Sequence, residues 1–104
     1  MLTEKIKDRL KANWSNGSSS LYCFVEVKFI DIFSDWACYI FALDPIDEDL
    51  IHCIVQYKCC ADLRTWSLSQ LLLHYNTQGE YPVIDDEFRP IRASELWRKL
   101  NLDG

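Results

Sequence analysis

Cysteine and histidine are the residue types in this sequence that could bind a soft metal or act as nucleophile and base. The chain of 104 residues has five cysteines and two histidines. Four soft ligands for one zinc ion could come from Cys53, Cys59 and Cys60 together with either His52 or His74. However, the Cys-x-x-Cys knuckle typical of structural zinc sites is missing. His52 and Cys53 would also point to opposite faces of a strand. We therefore predict mostly buried thiols and no metal or cofactor.

Nucleophilic catalysis would need a thiol beside a base, and Cys60 with His74 is the best placed pair. Neither residue lies in a glycine-framed nucleophile elbow, and no catalytic signature flanks them. No catalytic residue is therefore assigned. A small enzyme that depends on cysteine or carboxylate groups stays open as an alternative.

Carboxylates crowd two predicted turns, one at residues 85–87 and one at residues 44–49. The second turn lacks the glycine bend of a calcium loop, so we interpret both as solvated turns. Within it, Asp44 can accept hydrogen bonds from nearby backbone N–H groups, and Pro45 restricts φ. A solvated acidic turn can also meet a protein partner. The candidate partner-binding carboxylates are Asp44, Asp47, Glu48 and Asp49.

Four tryptophans are many for a chain of this length. Large rings supply much of the core of a small domain, so we expect most of them to be buried. Trp66 and Trp97 lie close to predicted helix starts or in short helices. An exposed ring at either position would anchor a protein partner, and both are candidate partner-binding residues.

The charge distribution argues against direct binding of nucleic acid. Lysine and arginine number 11, aspartate and glutamate number 16, and the net charge is −5 at pH 7. The acidic residues concentrate between Asp31 and Asp62, whereas basic residues gather near the two ends. Nucleic-acid-binding proteins usually carry a basic footprint. Three glycines also leave no phosphate-binding loop.

The apolar segments and the cysteines indicate in which cellular compartment the protein is located. No stretch approaches the ~18 apolar residues of a membrane-spanning helix. Residues 1–13 alternate charged and apolar residues and lack the apolar core of a signal peptide. An odd number of cysteines is typical of thiols in a reducing environment. We therefore expect a cytoplasmic protein without a membrane partner.

Hydrophobic patterning predicts a single α+β domain spanning residues 1–104. The strands are joined by short connections, which favours an antiparallel meander, and residues 58–65 could add a fourth strand. The apolar run at 36–43 needs cover on both faces, from helices or from a homodimer that shields one face. The predicted strands are residues 21–32, 36–43 and 50–57. The predicted helices are residues 3–13, 68–76 and 94–100, with Thr3, Ser67 (in a Ser-x-x-Gln capping box) and Ser94 as caps.

The order of several short motifs resembles that of a known family. The motifs are Val25-Glu26-Val27-Lys28-Phe29, Asp35-Trp36, the acidic turn, Ser-Leu-Ser-Gln-Leu at 67–71, and the segment 83–90 ending in Phe88-Arg89-Pro90. Over residues 21–100 this order is similar to domain of unknown function 2958, a family of small bacterial proteins often encoded on plasmids and other mobile elements. The chain departs from that family in its adjacent Cys59 and Cys60. The resemblance implies a bacterial or phage cytosol and lends no catalytic residues.

Together these observations favour a non-catalytic protein-binding or accessory module whose partner is another protein, with a homodimer also possible. An acidic inhibitor that mimics nucleic acid and binds a DNA- or RNA-binding protein is the second hypothesis. The small cysteine- or carboxylate-dependent enzyme is the third.

Overall fold

All eight side chains of one strand, Trp36–Leu43, are buried, and the other elements are arranged around it. In the computed structural model, the described residues are 2–15, 21–31, 36–58, 60–71 and 83–103. In chain order the elements are α1 (Glu4–Ser15), β1 (Phe24–Val25), β2 (Val27–Ile30), β3 (Trp36–Leu43), β4 (Leu50–Tyr57), β5 (Cys60–Ser67), α2 (described over residues 68–71), β6 (Val83–Ile84), β7 (Ile91–Arg92) and α3 (Ala93–Asp103).

The strands form the predicted antiparallel meander. β2, β3, β4 and β5 pair in sequence, and β6 pairs with the free side of β2, so the sheet order is β5-β4-β3-β2-β6. β1 and β7 pair with each other as a two-stranded antiparallel ribbon. An N-terminal helix, an antiparallel five-stranded sheet and a C-terminal helix confirm the α+β class, and β3 and β4 have the predicted bounds.

Two groups of apolar side chains lie on opposite faces of the sheet, because neighbouring residues of β3 point in opposite directions. α1 covers the first face with the predicted stripe of Leu2, Ile6 and Leu10, and Leu71 of α2 joins it. α3 covers the second face, where Leu96 is buried. Both faces of β3 are therefore covered within one chain, and no second copy is needed to shield that strand.

A β-bulge interrupts the alternation near the end of β3. The register with β4 shifts between Ile40 and Ala42. Phe41 and Ala42 consequently both lie in the second core, and Leu43 returns to the first. At the same level, the side-chain amide of Asn13 donates to the carbonyl oxygens of Phe41 (2.9 Å) and Phe24 (3.2 Å). Asn13 thus connects α1 with two strands where the direct ladder between them is interrupted.

The prediction of one continuous strand at residues 21–32 is wrong. The strand is divided at Glu26: β1 pairs with β7, whereas β2 pairs with β3 and β6. At the division the Phe24 carbonyl accepts a hydrogen bond from the Asn13 side chain, and the Glu26 N–H donates to the Ile40 carbonyl at 3.1 Å. Residues 21–23 form turns and a bend, and residue 32 lies outside the described residues.

The helix starts agree with the predicted caps at the first two helices. The Thr3 hydroxyl accepts a hydrogen bond from the Ile6 N–H at 3.2 Å, and the Ser67 hydroxyl accepts one from the Gln70 N–H at 3.2 Å. α1 extends two residues past its predicted end, and α3 begins one residue before Ser94 and runs to Asp103. Residues 72–76 of the second predicted helix lie outside the described residues. No helix in the described ranges is both long and apolar enough to cross a membrane.

The fourth strand, left open by the sequence, is present as β5. It pairs with β4 along its whole length, from Tyr57 with Cys60 to Leu50 with Ser67. The connection has two residues, of which Lys58 has a φ of 56°. Two-residue hairpins favour type I′ and II′ turns, because the twist of these turns matches the twist of the strands. Such turns require a positive φ at a central residue.

Replacing Asn13 by alanine should lower the free energy of unfolding by about 1–2 kcal/mol, because the part-buried bond to the Phe41 carbonyl and the exposed bond to the Phe24 carbonyl are lost, while alanine favours the helix slightly. Urea denaturation followed by circular dichroism measures this difference. Lys5→Ala, an exposed change on the same helix, is the control. Equal stabilities of the two variants would contradict the bridging role of Asn13.

Candidate functional site

The acidic turn, residues 44–49, connects β3 to β4 and contains four of the six candidate partner-binding residues. Its conformation is set by its own carboxylates. Asp44 Oδ1 accepts hydrogen bonds from the N–H groups of Ile46 (2.8 Å) and Asp47 (3.2 Å), as predicted. Asp47 Oδ1 accepts one from the Asp49 N–H at 3.1 Å. Backbone bonds between Asp44 and Leu50 and between Leu50 and Asp47 close the turn.

Asp49 attaches the acidic turn to the start of α2. Its Oδ2 accepts hydrogen bonds from the hydroxyls of Ser67 (2.5 Å) and Ser69 (2.8 Å). Its Oδ1 accepts one from the Ser69 N–H at 2.8 Å, and its carbonyl oxygen accepts one from the Leu68 N–H at 2.7 Å. The Ser67 bond is the main reason that the pKa of Asp49 is lowered, with the two Ser69 bonds adding to it. The carboxylate of Asp49 is therefore occupied by hydrogen bonds within the same chain.

Glu48 attaches the acidic turn to α1 through an ion pair with Lys11. The hydrogen bond within this pair, and then the charge of Lys11, lower the pKa of Glu48. The Glu48 side chain stays about half exposed. The turn is thus held by two helices in addition to its own hydrogen bonds.

Ile46 is the residue at this site that the sequence reasoning missed. It lies in the middle of the acidic turn and is 95 % exposed, the largest exposure among the large apolar side chains of the described residues. Pro45, Asp47 and Glu48 beside it are also exposed. The available signal was an isolated β-branched apolar residue in a turn where small or polar residues are usual. A rigid turn that presents one apolar side chain between carboxylates can enter an apolar pocket with a basic rim.

Trp66 and Trp97 lie on opposite faces of the sheet. Trp66 packs against the first core and Trp97 against the second, and both are partly buried. The structure therefore does not bring the two rings together on one surface. Their contribution to partner binding stays a prediction.

His52 lies on the second face of β4, opposite to Cys53, as the strand alternation predicts. Its ring stacks on Trp14 with centroids 4.2 Å apart, and its Nδ1 lies 2.9 Å from the Thr65 hydroxyl. Its Nε2 is buried and has no hydrogen-bond partner among the described residues. Burial lowers the pKa of His52, and the negative charge of Asp44 opposes this shift in part. The ring is a neutral packing element of β4.

Two of the four described cysteines are buried. Cys38 and Cys53 are buried in the first core, and the pKa of Cys38 is raised well above its usual value by its hydrogen bond with Cys53 and by burial. Cys60 is exposed, whereas Cys59 and His74 lie outside the described residues. The Cys60–His74 hypothesis therefore stays a prediction. Within the described ranges, no group of three or more His, Cys, Asp or Glu side chains could hold a metal ion.

Replacing Asp49 by alanine should destabilise the protein by about 1–2 kcal/mol. Three donors at the start of α2 bond to its carboxylate and would lose their acceptor, whereas the fourth bonds to its backbone carbonyl, which alanine keeps. The pKa of Asp49 is lowered from 3.8, so its stabilisation is present above that pH and is lost as the pH falls through the folded-state pKa. Thermal unfolding of both proteins at neutral and acidic pH measures the effect. Asp86→Ala, which removes an exposed carboxylate elsewhere, is the matched control.

The stability of the wild-type protein should fall as the pH drops below 6.5, the ordinary pKa of histidine, because the unfolded chain binds a proton there before the partly buried ring of His52 does. The loss is complete once the pH is below the lowered folded-state pKa. His52→Phe keeps the stacking on Trp14 and should remove this part of the pH dependence. Parallel slopes between pH 7.5 and 5 would refute the assignment.

The comparisons with known proteins leave the family open. No family model matches this chain, and no curated protein or solved structure matches it. The resemblance to domain of unknown function 2958 therefore stays a prediction.

Proposed function

We propose that this protein is a non-catalytic protein-binding module and that the acidic turn is its contact surface. The observation that carries the proposal is the exposure of Ile46 on a turn that is held rigidly around it. Exposed single apolar residues are common on protein surfaces. The position of this one, on a turn attached to two helices, distinguishes it from an incidental exposed residue.

Rigidity matters because ordering a flexible loop on binding costs free energy, about 0.5–1.5 kcal/mol for each immobilised side chain. In the acidic turn most of that order exists before a partner arrives. Asp44 and Asp47 restrain the backbone, Asp49 connects it to α2, and Glu48 connects it to α1. A partner would therefore meet a preformed surface.

The chemistry of the turn indicates what the partner offers. Full burial of the Ile46 side chain would contribute about 1.5–3 kcal/mol of favourable transfer free energy. The exposed carboxylate of Asp47 would lie at the rim, where charges increase association rate and specificity more than affinity. The partner we propose is a protein with an apolar pocket bordered by lysine or arginine side chains.

The same contacts give less support to mimicry of nucleic acid. A mimic needs carboxylates free to replace phosphates, but Asp44 and Asp49 accept internal hydrogen bonds and Glu48 is paired with Lys11. The buried, high-pKa thiol of Cys38 likewise gives no support to an enzyme. For the compartment we propose the cytoplasm, since none of the four described cysteines forms a disulfide. A bacterial or mobile-element origin is part of the same proposal and depends on the family resemblance.

Ile46→Ala should abolish capture of a specific partner without changing stability, because the side chain that it removes makes almost no contact within the protein. Immobilised wild-type protein and the variant are incubated with the same extract of the source cells, and bound proteins are identified by mass spectrometry. Tyr22→Ala, which truncates another exposed apolar side chain away from the turn, is the control and should retain the partner.

Two outcomes of this experiment would count against the proposal. If the wild-type and Ile46→Ala proteins capture the same proteins in equal amounts, the acidic turn is not the contact surface. If the partner is a DNA- or RNA-binding protein whose capture falls steeply with salt, the mimicry hypothesis replaces this one.

A further inference from the structure

β5 is the outer strand of the five-stranded sheet, and its free edge is long. Eight residues pair with β4 on one side. Tyr57 and Cys60 close a two-residue connection, so backbone groups of every second residue from Cys60 onward bond to β4. The residues between them direct their N–H and C=O groups outward: Ala61, Leu63 and Thr65. No strand within the described ranges pairs with this edge.

The side chains near the middle of β5 have a self-complementary order. Asp62 and Arg64 share one face, with side chains 67 % and 56 % exposed and their charged atoms 3.7 Å apart. Leu63 between them points to the other face and is 46 % exposed. Charges on an edge strand commonly prevent pairing with other chains. Here the two charges have opposite sign. They therefore repel a neighbouring strand only in registers that place like charges opposite each other.

We propose that a second copy of this chain pairs with the β5 edge, antiparallel and with the two-fold axis at Leu63. In that register Leu63 lies opposite Leu63 of the second copy and exchanges two backbone hydrogen bonds with it. Asp62 lies opposite Arg64 of the second copy, and the symmetry repeats this pair. Both ion pairs occupy positions without backbone hydrogen bonds, where opposed Cα atoms are only about 4.5 Å apart and side chains interact most closely.

The charges select this register among the symmetric alternatives. An axis at Asp62 would place two aspartates opposite each other, and an axis at Arg64 would oppose two arginines. An axis at Ala61 would place Arg64 opposite Lys58, again two like charges, and an axis at Thr65 would leave both charged residues opposite uncharged neighbours. The pairing proposed here thus extends the sheet through both copies. It is independent of the proposed role of the acidic turn, and it differs from a dimer that shields a sheet face.

Charge reversal tests the pairing. Sedimentation equilibrium of the wild-type protein over a range of concentrations should show a reversible monomer–dimer transition. Asp62→Arg and Arg64→Asp should each weaken dimerisation roughly tenfold or more, because each variant opposes like charges across the axis. An equimolar mixture of the two variants should restore dimers, since each supplies the charges that the other lacks. Asp86→Arg, the same charge change at an exposed turn, is the control and should dimerise like the wild type.

Leu63→Pro gives a second, backbone-based test. It removes an N–H group that faces away from β4, so the strand keeps its inner ladder while the dimer loses central hydrogen bonds. Circular dichroism confirms that each variant is folded. A wild-type protein that stays monomeric up to its solubility limit would overturn the proposal. So would a dimer that persists unchanged in both charge variants, or a mixture of folded variants that fails to associate.

Discussion

A strand with eight buried side chains must be covered on both faces, and the rest of this structure depends on that constraint. β3 has no polar face that water could contact, so it lies inside the sheet with β2 and β4 on either side. α1 and the start of α2 cover one face, and α3 covers the other. α1 and α3 therefore cover the same strand, although they come from opposite ends of the sequence.

The bulge in β3 links this constraint to the candidate site. By placing Phe41 and Ala42 on the same face, it displaces the strand from regular pairing just before the acidic turn. Asn13 compensates by bonding two carbonyl oxygens across the gap. The chain then enters the acidic turn, which Glu48 and Asp49 attach to α1 and α2. Core packing and the position of the turn are thus parts of one arrangement.

Several of the cysteine, histidine and carboxylate groups that could do chemistry make structural contacts in the described part of the chain. The thiols of Cys38 and Cys53 fill a core, the ring of His52 packs on Trp14, and Asp49 organises a helix start. What remains on the surface is of a different kind: an isoleucine on a rigid turn and a long strand edge with alternating charge. These are the two surfaces for which we propose binding.

The sequence by itself determined the elements whose signals are local. The unbroken apolar run of β3, the four-residue spacing of Leu2, Ile6 and Leu10, and the hydrogen bonds of Asp44 within its own turn involve neighbours a few residues apart. Only the tertiary structure decided that Asp49 would bond Ser67 and Ser69, that Asn13 would bond the carbonyl oxygens of Phe24 and Phe41, and that β5 would form an edge. These contacts join residues 11 to 28 positions apart in the chain, and the partner of each depends on how the whole sheet is assembled. Local periodicity carries no record of that assembly.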